Sequence, residues 1–401
     1  MRDLGCSPAF CFRHFGNVVS TIVLLGTVAG HATRLAAQPP TVRDSAGVKI
    51  ISARARSSAP VAFKLADKPT LSVGGLEDDP NVEFNHKQGY LRAARLSNGG
   101  LAVIDEVRLH YFDASSKRLG IVGRKGAGPN EFQYVMSICA TRGDSILVSD
   151  SRNARITVLD GTGKFAGSFP QESWGSPGFS SCFNDGTFML QKSLAVSFSD
   201  PRKYRITRMR LNGTVANEIG EFTTAPLDMV TQREMTFVAS GERLYFAEGV
   251  ANEIRAYDMF GKLREIFRTG DPILPITSAE AETRMASTIP TNVSTAERNE
   301  RMSRMRGQSY AKSWPAYSRV HVTPTGQLWI QDYRSKYPAP DGWTAYDADG
   351  TLVGRLIFPA STATARAPEV ISFGRSDVLL RTRDDEGAAH LMVYPLVRVK
   401  P

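Results

Sequence analysis

A chain of 401 residues with 42% hydrophobic and 22% charged side chains can build a core, which excludes wholesale disorder. Its 34 glycines and 22 prolines favour many short strands and turns over a helical bundle. Four cysteines are too few for a disulfide scaffold or a multi-finger zinc protein, and the formal charge of +9 points to acidic partners.

Residues 1–37 read as a secretory signal peptide. Arg2 and Arg13 give a positive start, Val18 to Gly30 an apolar run, and Leu35-Ala36-Ala37 small residues for cleavage. The apolar run is about 13 residues, short of the roughly 20 that span a bilayer core, so no stable membrane insertion is expected after signal removal. Cleavage would remove three arginines and one aspartate, lowering the net charge by two to +7. Export to the periplasm or the extracellular space argues against nucleic acid. An anionic small molecule, a glycan or a protein partner fits better. The mature chain keeps Cys139 and Cys182, two cysteines that an oxidising compartment would favour pairing as a disulfide; two buried thiols are the alternative.

Beyond a segment at 38–69, a unit recurs from 70 to 401. Each copy has a short strand, a Gly-containing turn, a second apolar strand ending in a polar residue, and a third strand. The copies begin at Leu91, Ile138, Cys182, Val238, His321 and Val370. Their second strands end at Asp105, Asp150, Gln191, Glu248, Asp332 and Arg383, in steps of 45, 41, 57, 84 and 51 residues. That spacing suits propeller blades of roughly 40–50 residues with one large insertion. The fold expected is all-β: a six-bladed β-propeller whose last blade is closed by an N-terminal strand, Thr70 to Val73. Val48 to Ser52 offers a further strand. The insertion, about 271–312 between blades 4 and 5, is read as helical because Thr277-x-x-Glu280 and Ser294-x-x-Glu297 are capping boxes. It could form a lid over one end of the channel or simply decorate the surface.

Gly123-Arg-Lys-Gly126-Ala-Gly128-Pro129-Asn-Glu131-Phe132 resembles the G-x-x-G-x-G-P-x-E-F linker of the NHL-like and TolB-like six-bladed propellers of exported bacterial proteins. Gly74-Gly75 through Glu83-Phe84 is a degraded copy. The resemblance implies architecture and is nearly silent on activity, since this superfold hosts lyases, lactonases, sensors and binding modules.

In such propellers the linkers between blades gather at one end of the channel. The residues placed there are basic: Lys87, Arg92, Arg95, Arg124, Lys125, Arg298, Arg301, Arg304, Arg319 and His321. Arginine forks suit carboxylate, sulfate or phosphate, and a mouth lined by one sign of charge focuses its field. The ligand-binding residues expected are Arg92, Arg95, Arg124, Arg319, His321, Trp314 and Tyr317. Trp174 and Tyr134 stand beside them. The aromatics could stack on a sugar or peptide or wedge between blades, and the arginines could instead pair with Glu83, Glu131 or Glu297.

Chemistry is sparse. His86 and His321 alone fall near the channel, with His110 and His390 further out, which leaves a three-histidine zinc site incomplete. Asp347-x-Asp349-Gly350 has Phe358 where a calcium loop needs Glu, and no G-x-S-x-G, Walker or H-E-x-x-H motif occurs. The recurring acids Asp105, Asp150, Glu248 and Asp332 read as turn locks. No cofactor or metal is expected. A binding module without chemistry of its own follows. The rivals are a channel-mouth lyase or lactonase using His86, Arg92, Arg95, Arg319 and His321, and a structural module of a cell-envelope assembly.

Overall fold

The computed structural model describes residues 39–74, 84, 91–171, 181–194, 201–225, 230–231, 235–308, 310–333, 342–358, 368–384 and 387–399. The expected leader at 1–37, His86, Lys87 and Trp174 lie outside the described residues.

Four strands open the described chain: β1 (Thr41–Ser45), β2 (Val48–Ala53), β3 (Val61–Leu65) and β4 (Leu71–Gly74). The first set of the repeat follows as β5 (Arg92–Arg95), β6 (Leu101–Asp105), β7 (Arg108–Phe112) and β8 (Arg118–Val122). A parallel ribbon of β9 (Arg124–Lys125) and β10 (Glu131–Phe132) leads to the second set: β11 (Val135–Ala140), β12 (Ile146–Asp150), β13 (Arg155–Leu159) and β14 (Phe165–Pro170). The third set is β15 (Phe188–Ser193), β16 (Arg202–Met209) and β17 (Val215–Thr224), with Cys182 bridged to Phe188 ahead of it. The fourth is β18 (Thr236–Ser240), β19 (Arg243–Ala247), β20 (Glu253–Asp258) and β21 (Leu263–Thr269). After helices α1 (Ser278–Thr288) and α2 (Thr295–Arg306) comes the fifth, β22 (Val320–Val322), β23 (Leu328–Gln331), β24 (Gly342–Tyr346) and β25 (Leu352–Ile357). The sixth is β26 (Glu369–Phe373), β27 (Asp377–Arg383) and β28 (Ala389–Arg398).

The architecture is all-β and propeller-like, with a correction to the expectation of six equivalent blades. Among the described residues four sets are complete four-stranded antiparallel blades of consecutive chain: the first, second, fourth and fifth. The third and sixth have three named strands of their own. The sheets are also larger than a lone blade. β4 pairs antiparallel with β28, Leu71 opposite Val393 and Gly74 opposite His390. β3 lies between β25 and β28 and welds the last two sets into one nine-stranded sheet. β2 joins β21 in parallel and carries β1 with it. The segment 38–69 therefore extends two sheets rather than standing apart.

Period-two alternation sets the strands up, but the second strands are buried on both faces. Leu101 to Asp105 and Ile146 to Asp150 are buried throughout, as is the third strand of the fifth set, Gly342 to Tyr346. Each set is covered on either side by a neighbour, so the polar members of the alternation need internal partners. Ser149, for example, donates to Gln171 Oε1 at 2.6 Å. Separate apolar clusters fill the spaces between sets. Ile104 and Val148 lie in the cluster between the first and second, Leu147 and Phe188 in the next, and Met189 and Phe246 between the third and fourth. Tyr245 with Tyr346, Trp329 with Leu380, and Leu379 with Phe112 continue the series back to the first set. Burying each such side chain is worth about 1.5–3 kcal/mol.

Helix α1 starts with a reciprocal box: Thr277 Oγ1 accepts from Glu280 N at 3.2 Å and Glu280 Oε2 from Thr277 N at 2.9 Å. Ser294 caps α2 through Glu297 N. Met285, Ile289, Met302 and Trp314 form a small core of their own with Val230.

Candidate functional site

The opening of each first strand and the close of the second share one end, as the registers fix: Arg92 opposite Ile104, Val135 opposite Asp150, Thr236 opposite Ala247, Val320 opposite Ile330, Glu369 opposite Arg381. Neighbouring first strands are bonded to one another. Arg92 Nε donates to the Met136 carbonyl at 3.1 Å, joining first to second. The Cys139–Cys182 disulfide joins second to third, and Ala239 N donates to Ser181 Oγ at 2.7 Å between third and fourth. Ser240 Oγ donates to the Thr323 carbonyl at 3.0 Å, and Arg319 Nη1 meets Glu369 Oε1 at 3.2 Å. Arg95 Nε then returns from the first set to Ser372 Oγ of the sixth at 2.9 Å.

Within this series a belt of arginines occupies the linker end. Arg319, just ahead of β22, and Arg381, on β27, both bind Glu369, the first residue of β26. Arg381 also gives Nη1 to the Leu91 carbonyl at 3.0 Å, one residue before Arg92. Arg319 of the fifth set and Arg381 of the sixth thus share one partly exposed carboxylate, and the bonds of Arg381 to the Leu91 carbonyl and of Arg92 to the Met136 carbonyl carry the series on to the first and second sets. Burial pushes the Glu369 carboxyl up, but Arg381 and Arg319 overcome this and hold it below the usual carboxylate range. Half-buried guanidinium forks of this kind suit bidentate oxyanions.

Other residues expected at the mouth are placed elsewhere, for identifiable reasons. Arg95 sits at the opposite end of β5, where it pairs with Asp377 at 2.7 Å; burial lowers its pKa against that acid's pull. Arg124 is 82% exposed and pairs with Glu131 at 2.7 Å, because the linker curls around the Glu131 carboxylate, which also accepts Gly128 N at 2.7 Å. Trp314 is buried against the helices, not at an opening. Tyr317 is buried between the fourth and fifth sets, its hydroxyl donating to the Glu253 carbonyl at 2.8 Å, and burial pushes its pKa up to about 12. His321 opens the fifth set, but its ring lies 5.2 Å from Trp343 and 5.9 Å from Phe373. Burial, aided by Arg319, lowers its pKa to about 4, so at neutral pH it adds no charge. On α2, Arg298 donates to the Pro290 carbonyl, Arg301 pairs with Glu297 and Arg304 with Glu300. Of the expected ligand-binding residues, the belt gathers Arg92 and Arg319.

Glu369 and Arg381 were missed by sequence reasoning. The sixth repeat carries arginine, Arg383, where most repeats end their second strand in an acid, a signal that lay on the right strand but two residues past Arg381. Two of those acids lock incoming linkers: Asp150 accepts Gln133 N at 2.7 Å and Tyr134 N at 3.1 Å, and Glu248 accepts Ala225 N. Asp332 instead joins an inter-set ion network with Arg355 and Arg56, and Arg56 also binds Asp271 at 2.8 Å. No group of three or more His, Cys, Asp or Glu side chains gathers as a metal set among the described residues.

No protein-family model matches the chain, and no curated protein matches it. Solved structures do. A member of a family of unassigned function from Bacteroides vulgatus superposes with a TM-score of 0.51 at 11% identity, covering 84% of this chain and 99% of that one. A protein of Bacteroides fragilis named as exported gives 0.48 at 13% identity over 88% and 100%. A catalytically inactive virginiamycin B lyase of Staphylococcus aureus, solved with quinupristin, gives 0.42 at 10% identity over 90% and 99%. The chain is an all-β protein of propeller type. At such identities the likeness extends to fold alone.

Proposed function

We propose that this chain is an exported six-bladed β-propeller of the NHL-like kind whose arginine belt binds a doubly charged anion, either free or as an anionic group of a glycan or protein partner. In this reading the three-stranded third and sixth sets complete the ring, with β4 as the outer strand of the last blade. The cyclic series of bonds between first strands supports that count. The leader-like pattern of residues 1–37 supports export.

The observation that carries the ligand class is the convergence of Arg319 and Arg381 on the Glu369 carboxylate, with Arg92 adjoining. The Glu369 carboxylate, held by both guanidiniums, occupies the geometry that an oxyanion would use. Calorimetric titration with inorganic phosphate tests it. Arg319→Gln should weaken phosphate binding about tenfold or more, the scale of one charge-assisted hydrogen bond, with little change in melting temperature because the side chain is half-exposed. Equal phosphate affinity in the two proteins would contradict the proposal.

A further inference from the structure

At the end opposite the arginine belt, three turns enclose a cleft of about 570 Å³ between the third and fourth sets. Its walls are Asp185 with Arg208, Arg210, Asn217 and Phe260. Each turn is fixed by its own side-chain oxygen: Asp185 Oδ1 accepts Thr187 N at 3.0 Å, Asn212 Oδ1 accepts Thr214 N at 3.1 Å, and Asp258 Oδ1 accepts Phe260 N at 3.0 Å and Lys262 N at 2.9 Å. The two sides are tied together by Asn217 Nδ2 donating to the Met259 carbonyl at 2.7 Å. These internal bonds hold the shape of the cleft, which lowers the ordering cost of binding.

Two of its features call for an occupant. Phe260 is 74% exposed, a large apolar ring held out on a locked turn. Arg210 is exposed, fastened only by Nη1 to the Val215 carbonyl at 2.7 Å and to Thr214 Oγ1 at 3.3 Å; no carboxylate pairs with it among the described residues. Arg208 is neutralised by Asp185. The cleft thus offers one surplus positive charge and one apolar platform.

We infer that this cleft binds a six-membered ring bearing a carboxylate, the carboxylate on the Arg210 guanidinium and a ring face against Phe260. The volume lies within the roughly 300–1,000 Å³ of small-molecule sites. Such a group comes either from an acidic sugar or from an aromatic acid, and the test separates them. Galacturonate and benzoate are titrated into the whole protein and followed by protein NMR, with methyl galactoside and benzyl alcohol as neutral counterparts. At least one acid should bind in the millimolar range, its neutral counterpart about tenfold or more weaker. Arg210→Gln and Phe260→Ala should each cost a similar factor, while phosphate binding at the arginine belt stays unchanged in both. Binding by galacturonate alone assigns a glycan source, and by benzoate alone an aromatic one. The inference is overturned if neither acid binds, or if binding survives both substitutions.

Discussion

His110 combines deep burial with the lack of any hydrogen-bonding partner among the described residues. Its ring is 4% exposed, stacked 6.2 Å from Phe112 and edge-on 5.7 Å from Phe84, and neither nitrogen has a partner among the described residues. Burial first, then the charges of Arg118 and Arg108, lower its pKa to about 4 from an ordinary 6.5. The unfolded chain therefore takes up a proton here before the folded one does. Stability is fully present above pH 6.5 and falls as the pH drops towards 4, by up to roughly 3 kcal/mol at about 1.4 kcal/mol per pKa unit. His110→Leu should flatten part of this loss when denaturation midpoints are compared between neutral and acidic buffer. A variant as acid-sensitive as the parent would refute the assignment. The same scale marks what composition could not reveal. Arg92 and Arg319 were legible as basic residues opening a first strand. Trp314 and Tyr317 were misplaced because an aromatic side chain reads alike in a core and at an opening, and burial is decided by neighbours far along the chain.

Elements were the most legible level. The linker residues Gly123 and Phe132 make a matched pair: Gly123 has φ +102°, and a Cβ there would lie 3.0 Å from the Phe132 ring. Gly74 and Phe84 repeat the arrangement, with φ +98° and a Cβ that would lie 2.7 Å from the Phe84 ring. What looks degraded in sequence keeps both parts that geometry requires. Turns between third and fourth strands likewise share one chemistry, as Asp113, Asp160 and Asp258 each accept the amide two residues on and that of the lysine four residues on. The third set departs most from the pattern. It lacks a fourth named strand, and the Cys139–Cys182 bond fastens its start to β11 across 43 residues of chain. Replacing both cysteines by serine should lower stability by roughly 2–4 kcal/mol, the usual worth of closing such a loop. A melting temperature equal to that of the unreduced parent would show that the bond contributes nothing.

For the molecule as a whole, closure rests on pairings between chain ends that no local pattern announces. β4 could be nominated from sequence because the sixth repeat lacked an outer strand. β2 and β3 lie parallel to β21 and β25, and such additions need only an open edge and a strand of fitting length. Their effect is to tie the beginning of the described chain to the fourth, fifth and sixth sets at once. Arg56, between β2 and β3, is buried against Asp271 with Asp332 and the Ala316 carbonyl alongside, which fixes that tie with charge as well as with sheet bonds. Arg319, Arg381 and Arg92, from three different sets, follow one another through Glu369 and the Leu91 carbonyl, and anion binding along this series is the central claim. Selenate, a doubly charged anion with an anomalous scatterer, tests it most directly by diffraction from crystals grown with and without the ion. The account predicts an anomalous peak among Arg92, Arg319 and Arg381, with Glu369 turned aside or sharing the arginines. Selenate at other arginines with this cluster empty would contradict it.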